Sequence, residues 1–330
     1  MNRNVTRRGL LLGTVMLSAG VGLTRRQAIA DTYPARPIRF IVGGAAGSVP
    51  DVIARLIGDR LSTALRQPIV VENRPGAGGI LAMQAIAGSP PDGYTIALAT
   101  MSQAVFNSYL FSKLPYDPLH DLEPVSPLVT GAMALAAKST FPANTFGEFI
   151  AMAKAQPGRI YVGVPANGSP PHLVAQMMVR SAGIEVTFVP FKSAPDALAA
   201  VLRGDVQVSV DAPLMFTPHV KDRTLKVLAV TGRSREDALP DVPTLAESGF
   251  AGLEGEAWIG LVAPARTPRE IVLRLNHEIA TILEINELRE RLLTLSFTPL
   301  VATPEEFQAL IRDGHARWAV IIRESGLKLD

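Results

Sequence analysis

The chain contains no cysteine. Disulfides, a lipoprotein anchor, zinc–thiolate centres and thiol catalysis are therefore excluded together. Beyond residue 30 no apolar run is long enough to cross a bilayer. A real surplus of positive charge is missing as well. The formal net charge is +2, yet residues 1–30 alone hold Arg3, Arg7, Arg8, Arg25 and Arg26 and no acid. The remainder is net acidic, and nothing in it argues for nucleic acid or an anionic membrane as partner.

Catalytic patterns are also absent. His120, His172, His219, His277 and His315 show no HExxH or other metal spacing, and no serine lies in a G-x-S-x-G elbow. Walker A requires a lysine after its second glycine, whereas Gly47 is followed by Ser48. "GGAAG" (Gly43–Gly47) supplies only the last spacing of the dinucleotide fingerprint. No cofactor, no metal and no enzymatic activity are expected.

What is present begins with "MNRNVTRRGLLLGTVMLSAGVGLTRRQAIA". Basic residues, an apolar stretch from Leu10 to about Leu23 and the small-x-small end Ala28-Ile29-Ala30 read as an export signal cleaved near Ala30. Thr6-Arg7-Arg8-Gly9-Leu10-Leu11 resembles a twin-arginine signal; an ordinary secretory signal with a chance arginine pair is the other reading. Either one predicts an exported, periplasmic protein.

After the leader, strand and helix alternate. Strands are predicted at 38–42, 69–72, 94–99, 160–164, 186–191, 206–210 and 225–230. Helices are predicted at 51–65, from "NRPGAGG" through Ile86, and at 146–156, 195–202, 268–283 and 304–323. Such alternation implies parallel-type sheets flanked by helices, hence an α/β fold. A loop-then-helix motif occurs twice, so two lobes are expected. If "AWIGLV" (257–262) crosses back, the tail helices join the first lobe. The lobes are then 31–132 with 255–330, and 133–254, joined by two crossings as a clamshell.

In parallel α/β sheets ligands sit beyond the strand C-termini, at helix N-termini whose free N–H groups attract anions. Ala45, Ala46, Gly47 and Ser48 stand there in the first half, and Asn167, Gly168 and Ser169 in the second. Thr100 and Ser102 follow the third strand and join the candidate set. A carboxylate needs fewer donors than a phosphate and matches these small loops; two tight turns are the plainer alternative. Asp211 ends a predicted strand and is placed to accept a hydrogen bond from a ligand, or else to cap the next helix. Phe191 lines the cleft or packs in the core. His172, in the first helical turn after the second loop, is in reach of a ligand. Asp51 reads as a structural carboxylate at a helix start.

Eight segments then recur in order: "VENRPGAGG", "PPDGYT", "LPYDPLHDLEPV", "GSPPHL", "VPFK", "LKVLAVTGRSR", "LPDVPTLAESG" and "WIGLVAPARTP". Through them the chain resembles the Bug-type, TctC-like substrate-binding proteins of tripartite tricarboxylate transporters. The resemblance implies a type II periplasmic binding fold, a Venus flytrap. It implies two facing loops, matching Ala45–Ser48 and Gly168–Ser169, that hold a small organic carboxylate through amides and water. Asp211 matches the acidic position after the later strand. The implied partners are the ligand and membrane permease subunits, the receptor itself being a monomer. An exported sensory module and an exported α/β enzyme are the alternative readings.

Departures from the family pattern fall on the loops. Gly43 and Gly44 replace a proline and an aromatic residue, and Ser48 replaces a glycine. Val164 stands for Ser, Ala166 for Gly and Ser193 for Gly. A missing aromatic at Gly44 predicts a wider pocket and a different or bulkier acid.

Overall fold

A computed structural model describes residues 33–253 and 255–330. The export signal expected over residues 1–30 lies outside the described residues. The chain runs β1 (Ile38–Val42), α1 (Val49–Leu65), β2 (Ile69–Asn73), α2 (Ile80–Ala87) and β3 (Thr95–Thr100). A π-helical turn (Ser102–Phe106) leads into α3 (Asn107–Leu110), followed by β4 (Leu122–Gly131) and β5 (Ala134–Lys138). Next come α4 (Phe146–Ala155), β6 (Tyr161–Pro165), α5 (Pro170–Ser181), β7 (Thr187–Phe191) and α6 (Ala194–Arg203). Then follow β8 (Val208–Asp211), α7 (Pro213–Lys221), β9 (Leu225–Val230) and β10 (Ala257–Pro264). The tail is α8 (Arg269–Leu283), α9 (Asn286–Leu293), β11 (Thr298–Pro299) and α10 (Pro304–Ser325).

Local chemistry accounts for most of these elements. Helix α1 buries Ile53, Ala54, Ile57, Leu61 and Leu65, the stripe a 3.6-residue period requires. It stops where Arg66 turns left-handed. Helix α10 starts with a capping box, the Thr303 hydroxyl and the Glu306 carboxylate each satisfying the other's backbone N–H.

Two sheets result. The first has the order β11-β4-β10-β3-β1-β2 and the second β7-β6-β8-β5-β9. Strands β2, β1 and β3 are parallel, as are β7, β6 and β8, as the alternation predicts. Antiparallel strands extend each parallel set: β10 against β3 and β4, and β5 against β8 and β9. The "AWIGLV" segment does cross back, forming β10 of the first sheet.

Strand β4 is the element the sequence hid. Its first half lies in the proline-rich stretch, with Pro124 opposite Val262 and Pro127 opposite Gly260. Proline cannot donate to a ladder, and the pairing shifts register beside both of these positions. On its other side β4 is paired by β11 only at Val129 and Thr130, so its first half is an open edge, and edge position and bulges together admit the prolines.

The apolar core crosses between the sheets. Ile41 and Ala97 of the first sheet, Val162 and Val164 of the second, and Trp318 and Ile322 of α10 belong to one buried cluster. The tail helices thus do more than cover the first sheet. Arg180 of α5 and Glu324 of α10 form an ion pair across the same contact.

Candidate functional site

The two small-residue loops lie where the sequence placed them, at the C-terminal ends of parallel strands β1 and β6. They are built alike. Gly47-Ser48-Val49-Pro50-Asp51 and Gly168-Ser169-Pro170-Pro171-His172 run glycine, serine cap, proline in the first turn, then a hydrogen-bond acceptor. Gly47 and Gly168 have φ of +79° and +73°, which a side chain would strain. Ser48 and Ser169, at φ/ψ of −70°/160° and −67°/156°, are the helix caps.

Each glycine amide is captured four residues ahead. Gly47 N–H donates to Asp51 Oδ2 at 2.8 Å, and Gly168 N–H donates to His172 Nδ1 at 3.1 Å. These amides are therefore engaged within the protein. The amides of Ala45, Ala46 and Asn167 make no hydrogen bond among the described residues, and all three residues are exposed. They are among the donors left at the two mouths.

Asp51 does more than favour a helix dipole. Its buried carboxylate also accepts from Asn73 Nδ2 at 2.9 Å and Arg55 Nε at 3.0 Å. The hydrogen bond from the Arg55 guanidinium, outweighing desolvation, holds its pKa down to about 2. Asn73 also donates to Gly44 O at 3.0 Å, so β2 pins the loop that leaves β1. His172 achieves the same clamp without charge. Its ring is buried against Phe188, centroids 5.2 Å apart, and burial pushes its pKa down to about 4. Sequence reading placed His172 in reach of a ligand; its Nδ1 is occupied by the loop itself.

The hydroxyls divide. Ser169 Oγ donates to Pro165 O and accepts from His172 N–H, so it is engaged as a cap. Ser48 Oγ is buried with no hydrogen-bond partner. It sits over Gly44, where a Cβ would overlap it. The space directly above Gly44 is thus occupied by the Ser48 hydroxyl. Gly44→Ala is expected to destabilise the chain and the double variant with Ser48→Gly to recover most of the loss, read as a double-mutant cycle by denaturant unfolding.

Thr100 is tied into this mouth by a residue that sequence reading missed. Buried Gln103 accepts through Oε1 from Thr100 N–H at 2.8 Å and from the Thr100 hydroxyl at 3.2 Å. Its amide nitrogen lies over Gly43 and Gly79, where a Cβ would overlap it. A glutamine in an apolar helix start gives no sequence signal; the glycines it requires at two distant positions were the only trace. Ser102 is half-buried at the start of the π-helical turn.

In the second sheet the register aligns the remaining candidates. Pro165 is level with Phe191 on β7, and Asp211 on β8 stands two residues beyond the Gly163–Ser209 pair, on the same edge. Phe191 O accepts from Ala166 N–H at 2.8 Å, while its half-buried side chain packs against the buried cluster that includes Val201 and Val206. Asp211 does not cap α7: the cap position is Ala212, with no side-chain cap bond. Its Oδ1 accepts from Ala212 N–H at 2.7 Å, and its Oδ2 is buried without a partner.

The candidates thus form two groups, Ala45–Ser48 with Thr100 and Ser102, and Asn167–Ser169 with His172, Phe191 and Asp211. No hydrogen bond joins the two loops among the described residues. Leu110, the end of the helical segment that begins at Ser102, lies against Gly168 of the second loop together with Leu329. A cavity of about 520 Å³ between α10 and the crossing strands, lined by Met101, Thr130, Glu256, Trp258, Phe307 and Trp318, contains none of these candidates.

Comparison with known proteins adds the following. The family model described as "Tripartite tricarboxylate transporter family receptor" matches residues 53–327. Protein BugT of Bordetella pertussis is 33% identical over 327 residues, covering 99% of both chains. A solved structure of R. palustris Rpa4515 with adipate is 30% identical at a TM-score of 0.77, covering 90% of this chain and 99% of that one. MatC from Rhodopseudomonas palustris with bound malate is 30% identical at a TM-score of 0.73, covering 88% of this chain and 100% of that one.

Proposed function

Since the chain belongs to the tripartite tricarboxylate transporter receptor family, we propose that it captures a small organic carboxylate between two lobes and delivers it to membrane permease subunits. The lobes are residues 31–132 with 255–330, and 133–254, hinged at the two crossings between sheets. The receptor acts in the periplasm as a monomer, after removal of the leader near Ala30, and does not turn its ligand over.

One observation carries this reading: the same glycine–serine–proline–acceptor loop ends a parallel strand in each sheet. Side chains engage both glycine amides, so each loop keeps its shape without a ligand, and the amides of Ala45, Ala46 and Asn167 stay open to an anion. Helix α1 and helix α5 add the partial positive charge of their N-termini. The Ser48 hydroxyl is a further donor at the first mouth. Thr100, Ser102, Phe191 and Asp211 shape the remainder of the ligand's surroundings. Capture needs no chemistry: a micromolar dissociation constant corresponds to about −8 kcal/mol, within reach of one closure over one ligand. The adipate of Rpa4515 and the malate of MatC are carboxylates of the expected kind.

Thermal unfolding with a panel of mono-, di- and tricarboxylates, adipate and malate included, tests the proposal. At a hundredfold excess over Kd, a ligand stabilises by about 2.7 kcal/mol, a shift of several degrees. A flat response across the whole panel counts against carboxylate capture.

A further inference from the structure

Asp211 holds a bare oxygen. It ends β8 opposite Ala134, the first residue of β5, directly after the chain has crossed from the first sheet at Gly131–Met133. The residue is 9% exposed; Oδ1 accepts from Ala212 N–H, and Oδ2 is buried with no donor. Neighbouring polar groups are engaged elsewhere. Ser209 Oγ donates to Gly163 O, and Thr231 Oγ1 donates to Gly255 O while accepting from Met133 N–H. Buried carboxylate oxygens are normally hydrogen-bonded, because desolvation without a partner is costly.

We propose that Asp211 Oδ2 receives a hydrogen bond from the ligand, so that the favoured solutes are acids bearing a hydroxyl or ammonium group near the carboxylate. The inference rests on the carboxylate-receptor reading and names which acids that site prefers. An ionised Asp211 has acceptors only, so an ammonium satisfies and neutralises it and a hydroxyl satisfies it. A plain dicarboxylate turns a second negative charge toward it. Burial pushes the Asp211 pKa up to about 6, opposed only by the Ala212 hydrogen bond. No charged side chain contributes to this shift. The ionisable groups on the elements paired with or packed on β8 are Lys138 of β5, Tyr161 of β6, His172 and Arg180 of α5 and Asp196 and Arg203 of α6, while His219 and Lys221 of α7 stand in its last turn, away from β8. As the pH falls below 6, Asp211 takes up a proton and becomes a donor to a carboxylate, which relaxes the preference.

Matched sets of acids test this by calorimetry at about pH 8 and about pH 5, either side of the Asp211 titration. Suitable sets are succinate, malate and aspartate, and phenylacetate, mandelate and phenylglycine. In each set that binds, the hydroxyl or ammonium member is expected to bind at least ~10-fold tighter at the higher pH, with a smaller margin at the lower. Asp211→Asn is expected to erase that margin. It is also expected to raise the melting temperature of the ligand-free chain by roughly 5 °C at about pH 8, and not at about pH 4. A purely structural aspartate would not weaken binding while stabilising the empty protein. Equal affinities within each set, or a margin that survives Asp211→Asn, would overturn the proposal. If no carboxylate of any set or of the wider panel binds, the carboxylate reading fails and takes this inference with it.

Discussion

Asp51→Ala is expected to lower the folding stability by roughly 2 kcal/mol and to open the first mouth. Three donors converge on this one carboxylate: Gly47 N–H, Asn73 Nδ2 and the Arg55 guanidinium. Arg55 is half-exposed and turns to water when the carboxylate is removed. The Gly47 amide loses its acceptor, and Asn73 loses one of the two that hold it between β2 and the loop. Amide hydrogen exchange at Gly47 should accelerate together with the loss of stability, and Asp51→Asn should restore part of both.

The two clamps are expected to fail at different acidities. The Asp51 pKa, held down to about 2, lies below the ordinary carboxylate value, so its stabilisation is complete above about pH 4 and is lost as the pH falls toward 2. His172 has a pKa pushed down from 6.5 to about 4, so the unfolded chain takes the proton first. Stability from its neutral ring is complete above pH 6.5 and declines by about 3 kcal/mol as the pH falls through that window. Asp211 opposes this, because protonation relieves its buried charge as the pH falls from about 6. Urea unfolding between pH 7 and 3, best run in Asp211→Asn, should show the decline, and His172→Asn, which keeps a neutral acceptor, should flatten it. An unchanged profile in His172→Asn would show that the imidazole does not set the acid sensitivity of the second loop.

Gly260→Ala is the more damaging change, at about 3 kcal/mol. Gly260 lies in β10 between β3 and β4, and a Cβ there would overlap Phe307 Cζ and stand 2.7 Å from Cε1. Phe307 is fully buried and meets Trp258 edge-to-face at 5.1 Å between centroids. Either α10 lifts from the sheet or β10 bends away from its neighbours. Phe307→Leu should absorb part of the clash, so the double variant should cost less than the sum of the single changes in denaturant titrations. Full additivity would place the strain elsewhere.

Local pattern and tertiary context contributed differently. Periodicity sufficed for β1 and β9, whose bounds match the expected ones, and for α1 and α10, because a buried stripe at the helical period cannot be placed otherwise. It failed for β4, which lies in a proline-rich stretch and shows itself only through its pairing with β10. It gave no notice of β5, a short alanine-rich strand with little β propensity. The loops were legible as places, since strand, glycine and helix in succession define a helix N-terminus. Their donors were not. That Gly47 and Gly168 give their amides to Asp51 and His172 depends on distances of a few ångströms, which spacing alone does not fix.

By itself, the sequence determined an α/β chain with paired small-residue loops, no thiol chemistry and a family resemblance extending over the chain beyond residue 30. These follow from residue type and order, which act over a turn or a strand. Only the tertiary structure decided that Asp211 buries an unanswered oxygen, that Gln103 fills the space of two glycines, and that Ser48 occupies the room above Gly44. Burial and hydrogen-bond satisfaction are properties of what surrounds an atom, and those surroundings come from segments far apart in the chain.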